Sequence, residues 1–309
     1  MTSNSANPLS SGELIAFVAA VESASVHGAA DALGLTQSAV TKRLQALERR
    51  GGVTLFERGR FGMRPTTAGR LLYPDAKEAL AALRRAEAVL GGHRELARHA
   101  LTIAASYTIG EFLLPGWLAS FRQREPETRA QVEIANSVAV LARLRDHEVE
   151  VGFVEGRDDL RGCDVLTVHH DRLEVVVSST HPWCRRQSVG LRDLAGEPYV
   201  ARERGSGTRD VADDVLSGYG LRLTPSIETA SVQSVKRTLV AEGGYSLLSR
   251  VAIELEVAAG TLSVLRLDGV EIQRELRAVR SHAHRHGDAA KAFWRWLEQH
   301  VVPGSLEGA

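Results

Sequence analysis

Cysteine is almost missing: Cys163 and Cys184 are the only two in 309 residues. They have neither the short paired spacing of a zinc site nor the density of a secreted disulfide scaffold, so a reducing, cytoplasmic setting is expected. Net charge is missing too. Lys and Arg number 38 and Asp and Glu number 38, so no global basicity advertises nucleic acid, and any DNA contact must come from a local cluster. No apolar run is long enough to span a bilayer, and Met1 to Gly12 is polar and rich in Ser and Asn rather than a basic stub with an apolar follow-on. Neither membrane insertion nor export is expected. What is present is a composition 44% hydrophobic and 25% charged, that of a soluble globular protein with a real core and two or three folded units.

The first residues read as helices. Ser10 and Glu13 have the spacing of a capping box, and Leu14, Phe17, Val18 and Val21 recur at helical intervals behind them. A second helix is expected over Gly28 to Leu33, ended by Gly34, and Thr36 is placed to cap a third. On that third helix Val40, Leu44 and Leu47 share one face, while Gln37, Ser38, Thr41, Lys42 and Gln45 share the opposite one. Amide, hydroxyl and cationic groups together suit base edges and phosphates in a major groove. Val53 to Phe56, then Arg58, Arg60 and Arg64 around Gly59 and Gly62, read as a short β wing carrying cations. Helix pattern alone leaves open an Ala-rich three-helix cap with a polar face.

The wording of the motif favours DNA. Ala29-Ala30-Asp31-Ala32-Leu33, Thr36-Gln37-Ser38-Ala39-Val40-Thr41, Leu47-Glu48, Leu55-Phe56-Glu57-Arg58 and Thr66-Thr67-Ala68-Gly69 resemble, nearly end to end, the N-terminal signature of LysR-type transcriptional regulators. The resemblance implies that Gln37, Ser38, Thr41 and Lys42 approach bases and nearby phosphates and that Arg43, Arg58 and Arg60 serve mainly as backbone contacts. Gly51 departs from the family's usual leucine, so an early end to the third helix and a looser wing are expected.

From Thr66 to about Leu90 a near-heptad stripe, Leu72, Ala76, Leu80, Leu83, Ala86 and Leu90, marks one long helix interrupted by Pro74 and closed by Gly91-Gly92. Either it pairs with a second copy or it packs on its own chain; the two-fold symmetry of DNA half-sites favours pairing. Relatives of this type commonly form dimers or tetramers, and RNA polymerase is a further possible partner class.

Beyond His99 short apolar runs alternate with helical segments, which implies crossover units, a parallel sheet and an α/β fold. Crossovers near His169 and Leu267 divide it into lobes, giving a winged helix-turn-helix at 1–65, a linker helix at 66–95 and a periplasmic-binding-protein-like domain at 96–303. Its lobe I is 96–168 with 269–303, and its lobe II is 169–268. Ser106 to Thr108 leads into one helix and Arg202 to Arg209 into another, so hydroxyls and free amides meet two positive helix ends, a ready anion site. Ser106, Thr108, Asn136, Ser137, Glu155, Arg202, Ser206, Thr208 and Ser231 are the candidate ligand residues, each with an ordinary cap as its alternative. Glu155 and Glu203 complicate a purely anionic reading; they pair with Arg202 or Arg209, or accept from a hydroxyl or amine of the ligand. These loops resemble the effector sites of regulators of sulfur assimilation and carbon dioxide fixation, which implies a small acid, oxyanion or phosphorylated metabolite.

Other features carry less. His282, His284 and His286 read as a solvated turn, no cofactor or metal is expected, and nothing marks either cysteine as an activated redox thiol. Gly205-Ser206-Gly207 lacks the spacing of a nucleophile elbow, so the chain is not expected to be an enzyme. Two rivals remain: a cytosolic two-lobed solute-binding protein or enzyme with an incidental helical cap, and a DNA-binding protein whose second half binds proteins.

Overall fold

The structure, a computed structural model, describes residues 9–59, 62–90, 99–156, 158–283 and 286–301. The chain divides between residues 97 and 98 into two units. In the first, α1 (Ser11–Ser23), α2 (Val26–Leu33) and α3 (Gln37–Gly51) bury Leu14, Phe17, Ala29, Ala30, Val40, Leu44 and Leu47 in one core. Ser25 Oγ accepts from Gly28 N at 2.9 Å and Thr36 Oγ1 from Ala39 N at 3.2 Å, so each of the two turns satisfies an otherwise unpaired amide in the first turn of its helix. The wing is an antiparallel hairpin of β1 (Phe56–Gly59) and β2 (Gly62–Pro65). Phe56 and Met63 root it in the same core, the Phe56 ring 5.5 Å from Phe17.

Two expectations fail here. Ser10 makes no side-chain cap bond; Glu13 is buried on the inner face of α1, where Arg50 Nη2 donates to its Oε1 at 3.0 Å. A carboxylate facing the body of the head is better satisfied by a cation on α3 than by reaching back over its own first turn. Nor does α3 stop short. Gly51 is its last helical residue, and Gly52, at φ 64°, returns its N–H to Glu48 O in the left-handed cap that glycine adopts without strain. Glu48 Oε1 then accepts from Leu55 N at 2.8 Å and Phe56 N at 3.3 Å, which ties the wing to α3 rather than loosening it.

The long helix α4 runs Thr67–Leu90 with Pro74 inside it. Leu72, Ala76 and Leu80 pack into the core of the head, and Glu22 accepts from Tyr73 Oη at 3.0 Å and Lys77 Nζ at 3.1 Å. The first half of the stripe therefore packs on its own chain; Leu83 and Ala86 stay exposed. Gly91-Gly92 and the side chain of Leu90 lie outside the described residues.

The second unit is α/β. Its strands are β3 (Ala100–Ser106), β4 (Arg129–Ala135), β5 (Val151–Val154), β6 (Cys163–Ser178), β7 (Ser188–Val189), β8 (Val200–Arg202), β9 (Ile227–Thr229), β10 (Tyr245–Ser249), β11 (Leu262–Leu267) and β12 (Ile272–Ser281). Among the described residues the main sheet is ordered β4-β3-β5-β12-β6-β11-β7, with β10 also on β6 and β8 paired with β9. The main sheet is parallel at β3 with β4 and β5, and at β11 with β7. β12 runs antiparallel to β5 and β6, and β10 and β11 antiparallel to β6, because β6 must leave one lobe and β12 must return to it.

The helices are α5 (Leu114–Arg124), entered through a π-helical turn at Ile109–Leu113, then α6 (Ser137–Arg145), α7 (Leu191–Gly196), α8 (Gly207–Gly218), α9 (Val232–Glu242), α10 (Glu254–Ala258) and α11 (Asp288–His300). One core holds Ile103, Phe121, Phe153, Phe293 and Trp296, another Val175, Trp183, Tyr199, Tyr245 and Leu247. Along β6, Val168 belongs to the first core and Leu173 to the second; along β12, Ile272 belongs to the second and Leu276 to the first. The chain passes from the first core to the second between Val168 and Leu173 on β6 and comes back between Ile272 and Leu276 on β12, while β11 ends at Leu267 paired to β7.

Candidate functional site

In the first unit, α3 presents Gln37, Ser38 and Lys42 exposed and Thr41 and Arg43 half-buried, over the buried underside of Val40, Leu44 and Leu47. Gln37 Nε2 lies 3.1 Å from His27 Nδ1, and His27 is 3.4 Å from Asp31. That contact between α2 and α3 holds the amide of Gln37 at the outer end of the helix. Arg58 stands on β1, but its side chain and all of Arg60 lie outside the described residues.

In the second unit the strand-to-helix turns of the two lobes meet. The Arg202 guanidinium lies over the Tyr107 ring at 4.8 Å. A Cβ on Gly207 would stand 2.5 Å from Glu155 O, so the entry of α8 touches the end of β5 only because that residue is glycine. Gly205 likewise abuts Val138 and Asn136 across the same gap. Ser106, Thr108, Ser137, Glu155, Arg202, Ser206 and Thr208 are all buried in this contact zone.

Their bonds sort them. Asn136 Oδ1 caps α6 by accepting from Ala139 N at 2.9 Å, and Ser137 Oγ accepts from Glu155 N at 3.3 Å. Thr108 and Thr208 are taken by Arg274, whose Nη2 donates to Thr108 Oγ1 at 3.2 Å and whose Nη1 donates to Thr208 Oγ1 at 2.9 Å. Glu155 Oε2 sits 2.9 Å from Arg274 Nη1. Glu203 pairs with Arg202 Nε at 2.9 Å, while Arg209 turns to Glu228 and Asp213. Ser231 acts as the cap of α9, accepting from Ser234 N at 3.4 Å. What remains is Ser106 Oγ, Ser206 Oγ, Arg202 Nη1 and Glu155 Oε2, each buried with no hydrogen-bond partner, although Glu155 Oε2 keeps its ion-pair distance to Arg274. Buried donors left unmatched cost about 1–3 kcal/mol apiece, so the fold carries them toward something that accepts.

Glu111, on the π-helical turn, is the acidic neighbour of this zone. Burial pushes its carboxyl above the ordinary range, against the pull of Arg202 and Lys236 and with a push from Glu155. Sequence reasoning passed over Glu111, Tyr107, Asp171 and Arg274. The last had a signal: it occupies an inward position in the alternating pattern of β12, between buried Ile272 and Leu276, where an uncompensated cation is not tolerated.

Residues 12–70 match the bacterial regulatory helix-turn-helix of the lysR family and residues 94–302 match the LysR substrate binding domain. The chain belongs to the LysR family of regulators. Among LysR-type relatives, CysL of Bacillus subtilis, an HTH-type transcriptional regulator, is 31% identical over 86% of this chain and 89% of its own length. The solved full-length CbnR complexed with its target DNA superposes with a TM-score of 0.64 at 20% identity over 94% of this chain and 99% of that one. The CcmR regulatory domain of Synechocystis PCC6803, in complex with 2-PG, gives 0.61 at 20% over 66% of this chain and 99% of that domain. As in other LysR regulators, a DNA-reading head precedes a two-lobed α/β domain. Among the described residues no helix is long and apolar enough to cross a membrane and no group of three or more His, Cys, Asp or Glu could hold a metal. Of the histidine turn, His282 pairs with Asp164 at 2.8 Å, and His284 lies outside the described residues. Both cysteines are free, and burial pushes the Cys163 thiol up.

Proposed function

We propose that this LysR-type regulator is a cytoplasmic, non-enzymatic homo-oligomer that reads double-stranded DNA through α3 and responds to a small anion bound between its two α/β lobes. The domains are read as 1–65, 66–95 and 96–303. The observation that carries the effector reading is the convergence of unpartnered Ser106 Oγ, Ser206 Oγ and Arg202 Nη1 in one buried zone, where two strand-to-helix turns meet. Glu155 and Glu203 do not oppose an anion there, since each already has a guanidinium. A domain of the same fold, the CcmR regulatory domain, is in complex with 2-PG, which supports a small-molecule site in this unit. Binding closes the lobes on the anion and alters how two heads are spaced on DNA, changing its bend.

Calorimetry with inorganic sulfate, inorganic phosphate and a panel of small carboxylates tests the site. Ser106→Ala and Ser206→Ala each weaken the anion that binds wild type about tenfold; undiminished affinity in both removes this zone as the site. On DNA, Lys42→Ala lowers affinity for every sequence and flattens the salt dependence, whereas Gln37→Ala mainly relaxes sequence preference. Equal losses of Gln37→Ala on operator and random DNA would exclude a base-reading role.

A further inference from the structure

Arg274 is 7% exposed and stands where β12 crosses between the lobes, directly opposite Asp171 on β6. Its Nε donates to Asp171 Oδ2 at 2.7 Å, and its Nη2 lies 2.7 Å from the same oxygen. Ser249, at the end of β10, donates to the other oxygen of Asp171 at 2.8 Å. With Glu155 and Thr108 from the first lobe and Thr208 from the second, every nitrogen of the guanidinium has an acceptor within 3.2 Å.

We propose that Arg274 is an interlobe latch: a positioning residue that fastens the entry turn of one lobe, through Thr108, to the entry turn of the other, through Thr208, and so sets how tightly the gap between them is closed. A cation on one strand, matched by the carboxylate facing it, could balance charge without touching either threonine. Reaching Thr108 and Thr208 from a single planar group needs the spread N–H fork of arginine, which a lysine ammonium does not have. Each nitrogen of the latch is taken by a protein acceptor. The latch acts on the effector site proposed above by consuming two hydroxyls that loop position alone offers to a ligand, and by fixing the separation of the donors that remain free.

Hydrogen–deuterium exchange on the full chain without ligand tests it. Arg274→Lys, which keeps the charge, is expected to raise exchange about tenfold at the interlobe segments 151–156 and 205–210 while leaving β3 and α11 as in wild type. Thr208→Val alone raises it in the same segments, and adds nothing in the Arg274→Lys background. Thr108→Val with Thr208→Val leaves the buried ion pairs in place and gives the answer if Arg274→Lys does not fold. Exchange within twofold of wild type in that threonine double variant, or effects of Arg274→Lys and Thr208→Val that multiply, or acceleration spread evenly through both lobes, would overturn the latch. Calorimetry of wild type with inorganic sulfate and phosphate reads the effector proposal separately: no heat with any anion sinks that reading and leaves the latch to stand or fall on exchange.

Discussion

At the scale of residues, Glu111 is a carboxyl whose burial its cationic neighbours do not fully answer. Its carboxyl is pushed up by burial more than Arg202 and Lys236 pull it down. The folded state therefore holds this proton more tightly than the unfolded chain does. The stability Glu111 contributes is present below its ordinary carboxylate range and is lost as pH rises through its raised folded value. Glu111→Gln is expected to raise the melting temperature near neutral pH and to leave it nearly unchanged in mild acid, where the wild-type carboxyl is already protonated; scanning calorimetry at the two pH values checks this. A larger effect in acid than at neutrality would show that the carboxylate is stabilised, not strained. The same substitution removes a negative charge beside Arg202, so an anion in the gap should bind Glu111→Gln with less pH dependence than wild type.

Elements depend on two kinds of glycine, and substitutions separate them. A Cβ on Gly69, in the first turns of α4, would lie 2.4 Å from Leu55 O, a backbone atom that cannot swing away, whereas a Cβ on Gly116 in α5 meets nothing within 4 Å. Gly69→Ala should destabilise the head by about 1–3 kcal/mol through forced separation of α4 from the wing. Gly116→Ala should stabilise its helix by roughly 0.5–1 kcal/mol through reduced freedom of the unfolded chain. Urea unfolding followed by circular dichroism measures both, and equal shifts of one sign would contradict the packing. In the head, element boundaries were legible from periodicity and caps: Thr36 before Val40, Leu44 and Leu47 announced α3, and Gly34 announced the end of α2. The Ser10–Glu13 box was not, because spacing cannot tell a capping carboxylate from one that a distant Arg50 claims.

For the whole molecule, the zero net charge means that attraction to DNA rests on the local cations of the head, whose affinity should fall steeply with salt. Pairing of copies through α4 would use what the head leaves uncovered. Leu72, Ala76 and Leu80 are spent on the head, so Leu83→Arg, on the exposed remainder, is expected to lower the oligomer mass in sedimentation without lowering the stability of the head. An unchanged mass would place the subunit contact elsewhere.

By itself the sequence determined the helix-turn-helix, the long helix and the α/β texture of the second unit, because each is written in short-range periodicity, caps and a continuous motif. It also determined which loops bear hydroxyls at helix entries. Only the tertiary structure decided what those hydroxyls do. Thr108 and Thr208 are far apart in the chain yet accept from one guanidinium, while Ser106 and Ser206 are left without partners. Which donors stay free depends on β6 and β12 crossing side by side at Asp171 and Arg274, a meeting of distant strands that no local pattern encodes.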